Sequence, residues 1–275
     1  HSIKGLTINN INNEGYKNAG LFCSMKDATI ENLVIDLSCS FIGKYAGALS
    51  VSLDGSLTVT NTTNRASVDG NTRVGGFIGN VEELKQQAVI SFEGCVNDGN
   101  VTGSANYVGG FIGSISNNIN IVTSISHSIS NGIVTGISHF VGGFVGCAYD
   151  NSNMAMTISN STINGTVIGR SDDGGFVGYI FRNIDMIVTI SNSTNDGTVT
   201  GDTEAGGFVG SISSNTNMTV TISNCTNNGN LTVERSNAGG FVGYIDNNGN
   251  MTMTISHSMN IGITTGGWDC VGGFT

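Results

Sequence analysis

Apolar and polar residues alternate along this chain in short runs broken by glycine and asparagine, and from about residue 74 the whole pattern returns every 32 to 34 residues. The clearest copy is Ala238-Gly239-Gly240-Phe241-Val242-Gly243. Its large apolar residue recurs as Phe22, Leu49, Phe77, Phe111, Phe144, Phe176, Phe208, Phe241 and Phe274, at spacings of 27, 28, 34, 33, 32, 32, 33 and 33. Self-similarity at such a period marks a stacked array in which each unit buries its apolar side chains only against its neighbours. The repeat is rich in Gly, Asn, Ser, Thr, Val and Ile, which favour strands and turns, and lacks the Ala, Leu, Glu and Lys runs of helical arrays. These features predict an all-β fold, a parallel β-solenoid (β-helix) of about eight coils of ~33 residues with three strands per coil.

Within a coil, the first predicted strand is the marker, as in Gly207 to Ile212, followed by an Asn-rich loop in which Asn120, Asn153, Asp185, Asn217 and Asn250 share a register. Stacked Asn side chains would hydrogen-bond to their copies above and below. The second strand carries Ile90/Phe92, Met156/Ile158, Val188/Ile190, Val220/Ile222 and Met253/Ile255. A corner then aligns Asn160, Asn192 and Asn224 with His127 and His257, and the third strand places Val101, Val134, Val167, Val199 and Leu231 in one column. The chain reads as one domain, with shorter, irregular coils over residues 1–73 and regular coils over 74–275. Two irregular stretches stand out. Leu33, Ile35, Leu37 and Cys39 alternate as a half-buried strand, and Val81 to Gln87 has the composition of a single helical turn.

Charge is scarce, at 11% of residues, proline is absent, and the formal net charge is −10. Uncharged columns suit stacked strands, because like charges on adjacent strands repel. An acidic chain with few Lys or Arg is a poor partner for nucleic acid, where phosphate neutralisation dominates affinity. No apolar run reaches the ~20 residues of a spanning helix, so membrane insertion is not expected. No leader is visible at His1, and the sequence stops inside a marker segment, which predicts a piece of a longer chain.

Six cysteines raise the question of disulfides. Cys39, Cys95 and Cys225 align with Thr62, Ser128, Ser161, Ser193 and Ser258, a position for a small side chain, and cysteines two coils apart lie beyond the ~7 Å Cα limit for a bridge. They are expected as buried thiols. Cys23 and Cys39 fall in one N-terminal coil and could pair there, and Cys147 and Cys270 have no evident partner. His127 and His257 fall in the turn register four coils apart, so no metal site is expected, and no cofactor is implied. The Gly-Gly-x-Gly-x-Asp pattern of calcium-binding solenoids is missing, as are the lysine and helix of a phosphate loop.

Just before each marker the repeated columns give way to unlike residues: Arg73, Tyr107, His139 with Phe140, Asp172 with Asp173, Thr203 with Glu204, Glu234 with Arg235, and Trp268 with Asp269. Aromatic and charged groups on a rod of small polar side chains are the candidate recognition edge, with drift in an unconstrained loop as the simpler explanation. Asp172-Asp173 is the only adjacent acidic pair near a coil corner, and thus the one candidate for acid–base chemistry on a polysaccharide. Among nine Asn-x-Ser/Thr sites, those of Asn61, Asn100, Asn164, Asn230 and Asn250 would carry sugar in a secreted eukaryotic protein, whereas Asn160, Asn192 and Asn224 sit in stacked corners.

Gly-Gly-Phe-Val-Gly, an Asn-rich loop, Ile-Ser-Asn-Ser/Cys-Thr and Gly-x-Val-Thr-Gly together resemble the GLUG-type repeat of bacterial adhesins and IgA-cleaving proteases, over roughly Val74 to Thr275. That repeat usually has Leu where this chain has Phe144, Phe176, Phe208 and Phe241. The resemblance implies a surface-displayed stalk whose catalysis, where there is any, belongs to other domains. No His-Glu-x-x-His motif is present. Two function classes follow. One is a non-catalytic structural or adhesive segment, extracellular or at the cell surface, that self-associates through open coil ends or binds a glycan or host matrix. The other is a glycan-binding or glycan-cleaving solenoid. An ice-binding solenoid is a third class, suggested by Thr-x-Thr at residues 58–60, 219–221 and 252–254 but lacking, in sequence, a continuous flat array.

Overall fold

A computed structural model describes residues 1–12, 15–85, 87–267 and 270–273. Among these residues the chain is entirely strand and turn, wound as a parallel β-solenoid. One coil contains five strands: Val74–Gly75, Ile78–Glu82, Ala88–Glu93, Val96–Asn97 and Val101–Gly103. Each pairs in parallel with its copy in the next coil, and the copies form sheets of 8, 8, 8, 9 and 9 strands, here called the entry, marker, broad, short and return sheets. The three strands expected per coil are the marker, broad and return strands. The other two are dipeptides, too short to show a period-2 signal. The only antiparallel pair among the described residues is Ile11–Asn12 with Gly15–Tyr16.

The core is the sum of the inward columns. Phe77, Phe111, Phe144, Phe176, Phe208 and Phe241 are fully buried, with successive ring centroids 4.5–5.4 Å apart, following the ~4.8 Å separation of strands. Leu49 continues this column and Leu21 lies below it; Phe22, expected in the column, is instead level with Ser50 and Ile78, one position along, and is 42% exposed, and Phe274 lies outside the described residues. The predicted columns of the broad and return strands pair as read, for example Ile158 with Ile190 and Val134 with Val167. The marker glycines answer to close backbone approach. A Cβ at Gly142 would strike the Val145 carbonyl and sit 2.7 Å from the Gly178 amide, so entry and marker strands lie nearly backbone on backbone.

Polar columns are equally regular. Asn153 donates Nδ2 to Asn120 Oδ1 at 2.6 Å, Asn217 to Asp185 at 3.1 Å and Asn250 to Asn217 at 2.8 Å, all at left-handed turn positions, as expected of the exposed ladder. Two residues upstream in each coil runs a second ladder that is buried: Asn118, Asn151, Asn183 and Asn215 each donate Nδ2 to the next member at 2.9–3.0 Å, ending on Asn248. His127 and His257 occupy the same left-handed corner as Asn160, Asn192 and Asn224.

Three further expectations are corrected. Residues 81–85 contain no helical turn: Val81 and Glu82 finish a strand and Glu83 has φ 59°, while Gln86 lies outside the described residues. The strand read over Leu33 to Cys39 is only Val34–Ile35. Asp36 Oδ1 accepts from the Ser38 amide and hydroxyl, turning the chain and leaving Leu37 74% exposed. Cys39 is then level with Ala66 and the glycine column at Gly99, not with Thr62, because Ser40 pairs with Ser67.

Cys95 and Cys225 do share the serine column. Their amides donate to Ser128 and Ser258 Oγ at 3.1 Å, as Ser128 and Ser161 donate to Ser161 and Ser193. Both are buried, burial pushes both thiols up, and all six cysteines are free. Thiol counting on denatured, unreduced protein should find Cys95 and Cys225 reduced, since no cysteine occupies their column on an adjacent coil. Six oxidised cysteines within one chain would contradict this register.

Candidate functional site

The variable corner lies where the entry strand begins. Register places Arg73, Tyr107, Phe140, Asp172, Glu204 and Asn237 in one column, just before Val74, Val108, Val141, Asp173, Ala205 and Ala238. Arg73, Tyr107, Phe140 and Asp172 adopt φ of 55–69°, a left-handed conformation unusual for such bulky residues. Ring contacts put Tyr107 and Phe140 against the outward positions of the marker strand. There Tyr149 and Phe181 occupy one column, whose other members include Ser116 and Ser213, and Tyr179 another, with Ser114 and Ser211.

The result is a strip of near-parallel rings. Tyr149 lies 5.3 Å from Tyr107, Tyr107 5.3 Å from Phe140, Phe140 4.8 Å from Tyr179 and Tyr179 5.1 Å from Phe181, with interplanar angles of 14–24°. Charged residues close both ends. Arg73 forms a bidentate pair with Glu82 at 2.7 and 3.1 Å and donates to Tyr149 Oη at 3.0 Å. Arg182 pairs with Asp150 and covers the Phe181 ring at 4.4 Å. Burial pushes the Tyr107 hydroxyl far above its usual value, so it stays protonated. For Glu82 burial is outweighed by hydrogen bonds from Arg73 and Asn80, which hold its carboxylate below the ordinary range.

Beside the strip is the acidic group. Ser171 Oγ donates to Asp172 Oδ2 at 2.8 Å or Glu204 Oε2 at 3.0 Å, tying two coils together. Tyr179 Oη lies 2.6 Å from Ser213 Oγ. Burial pushes the Asp172 carboxyl up, partly offset by hydrogen bonding to Ser171. Asp173 is different. It is fully buried in the Val/Ala column, neither carboxyl oxygen has a hydrogen-bond partner, and burial followed by the charge of Asp172 drives its pKa well above the ordinary value. The Val141 backbone amide acts in the opposite direction without reversing the shift.

The structure thus gathers Tyr107, His139, Phe140, Asp172, Asp173 and Glu204 on one corner. His139 packs its ring 5.6 Å from Phe140. Arg235 is set apart, exposed and 3.8 Å from Asp202, and Trp268 and Asp269 lie outside the described residues. Tyr149, Tyr179 and Phe181 come from the following strand and Arg182 from just past it, and none was signalled by the sequence, because in other coils the ring positions hold unlike residues, Asn80, Ser114, Cys147, Ser211 and Tyr244 in one column and Glu82, Ser116, Ser213 and Asp246 in the other. Chemically the strip presents ring edges, hydroxyls and carboxylates, since its ring faces are largely covered by one another. Asp173 cannot touch a polymer in solution, so it cannot serve as half of a catalytic acid pair in this conformation. No cluster of three or more His, Cys, Asp or Glu side chains suited to a metal is present among the described residues. The sequons of Asn61, Asn100, Asn164, Asn230 and Asn250 are all exposed, but Asn164 and Asn250 already spend Nδ2 on Asn131 and Asn217. No family model, curated protein or solved structure matches the chain.

Proposed function

We propose that this chain is a non-catalytic structural or adhesive rod, part of an extracellular or cell-surface protein. What supports the reading is that coil after coil repeats the same residues in the same register across all five sheets, so that nearly every recurring side chain is accounted for by stacking. An active site needs unlike groups converged on one reachable point, and the one convergent corner has its most perturbed carboxyl sealed in the core. Adhesion would use that corner, where ring edges, hydroxyls and carboxylates offer contacts to a hydroxyl-rich glycan or matrix surface.

The test is retention of the purified chain on immobilised host-type glycans and matrix proteins. Retention lost on changing Tyr107 and Phe140 to serine, with folding retained by circular dichroism, supports adhesion through the corner. The self-assembling form of the reading is tested by sedimentation velocity. The mass should rise with concentration and fall back for Val271→Pro, which removes a main-chain donor from the strand that would receive a further coil. A chain that stays monomeric and hydrolyses a polysaccharide, with activity lost in Asp172→Asn, would establish the glycan-cleaving alternative instead.

A further inference from the structure

The outward face of the broad sheet is carried by the longest strands among the described residues. Its central column runs from Thr29 through Thr58, with Ser124, Thr157, Thr189 and Thr221 in the regular coils, and ends at Thr254, a hydroxyl in every coil. One flanking column runs from Ser126 to Ser256, also all hydroxyl, and the other carries Val122, Ala155, Ile187, Thr219 and Thr252. From Ser124 to Ser256 these three columns contain no charged residue and no aromatic one. The hydroxyls of the central column donate to nothing in the protein among the described residues, so they are free for an occupant, whereas Ser126 beside them is bonded to the Phe92 carbonyl. Parallel pairing fixes the array in two directions, at roughly 4.8 Å between coils and roughly 6.6 Å between alternate residues of a strand. The continuous array that the sequence did not reveal is therefore present.

We propose that this face binds crystalline water. A row of identical sites repeated in two dimensions is matched only by an occupant that repeats with it, which points to a solid surface and not a dissolved ligand. Absence of charge removes the complementarity a mineral surface of alternating ions requires. Absence of aromatic side chains removes the flat apolar rings on which a crystalline polysaccharide would rest. Threonine and serine present a hydroxyl that joins a water lattice, and the Val, Ile and Thr methyls beside them leave water ordered around them without competing hydrogen bonds. The proposal is independent of the adhesive reading, which uses another face.

The experiment grows ice slowly from a solution of the purified chain and compares protein in the ice with protein in the remaining liquid, alongside thermal hysteresis. The wild-type chain should be taken into the ice and should lower the freezing point below the melting point. Thr189→Lys, which places a long charged side chain at the centre of the array, should abolish both effects. Thr135→Lys, an outward substitution on the return sheet, should leave them unchanged. Exclusion of the folded wild-type chain from ice overturns the proposal, as does equal incorporation of Thr189→Lys. Binding to microcrystalline cellulose or chitin that Thr189→Lys removes, without ice uptake, would assign the face to polysaccharide and also overturn it.

Discussion

Replacing Phe176 by Ala should cost about 3–5 kcal/mol of folding stability, one of the largest effects of any single truncation in the rod. The ring is fully buried, 5.4 Å from Phe144 and 4.5 Å from Phe208, the latter nearly parallel at 10°. Its loss removes the transfer energy of a phenyl group and opens a void that the backbone-tight marker glycines on either side cannot close, because those strands already touch. Both neighbouring rings lose a stacking partner as well. Phe22→Ala, the same change at a 42% exposed residue one position off that column, should cost under ~1 kcal/mol. Urea denaturation of the two variants reads the difference directly. A loss below 1 kcal/mol for Phe176→Ala would mean that the column is not the core it is taken to be.

Replacing Asp173 by Val should do the opposite and stabilise the protein by about 1–3 kcal/mol at neutral pH, the cost of a buried polar group left without partners. The site is already shaped for valine. At the equivalent Val108 and Val141 a Cγ2 methyl occupies the space beside Gly103 and Gly136, and beside Asp173 the corresponding residues are Gly169 and Gly201. Where the column instead has Ala238, the facing position is the larger Val233. The raised folded pKa also sets a pH dependence. Above ~3.9, where an unfolded aspartate ionises, the folded state holds more protons than the unfolded one, so stability falls as pH rises through the folded value. This contribution is complete below ~3.9 and is lost progressively as pH rises from there through the raised folded value. Melting temperatures of the wild type should therefore decline over that window, and Asp173→Val should flatten the decline, with the similarly raised Asp172 leaving a residual slope. A variant less stable than wild type at neutral pH would show that Asp173 has a partner after all.

How much of this was legible in the sequence depended on whether a residue's role was repeated. The Phe, Val and Ile columns and the exposed Asn ladder were readable because the spacing between copies fixes their register. The buried ladder of Asn118, Asn151, Asn183 and Asn215 was not, because composition does not distinguish an inward Asn from one two residues away facing water. Asp173 was grouped with the variable corner when it belongs to the core column, because an aspartate in a valine register looks like loop drift. The aromatic strip was half visible: Tyr107 and Phe140 stood out before the marker, but Tyr149, Tyr179 and Phe181 join them from the next strand, a contact that only the folded corner creates. The dipeptide strands and the turn at Asp36–Ser38 were lost because two residues carry no periodicity.

The parallel ladders also give the rod a mechanical character. In a solenoid the interstrand hydrogen bonds run broadly along the axis, so a load applied between the first and last coils falls on the bonds of one coil boundary at a time and not on many strands sheared together. Each boundary is made of many short bonds, including the Asn183–Asn215 rung at 3.0 Å. Tension should therefore peel coils in succession, each release freeing about 33 residues, the sequence separation of rungs such as Asn118–Asn151. At full stretch that is roughly 110 Å of slack per event. Such a rod would act as a stepwise force absorber, yielding in repeated small increments while the coils not yet reached stay folded.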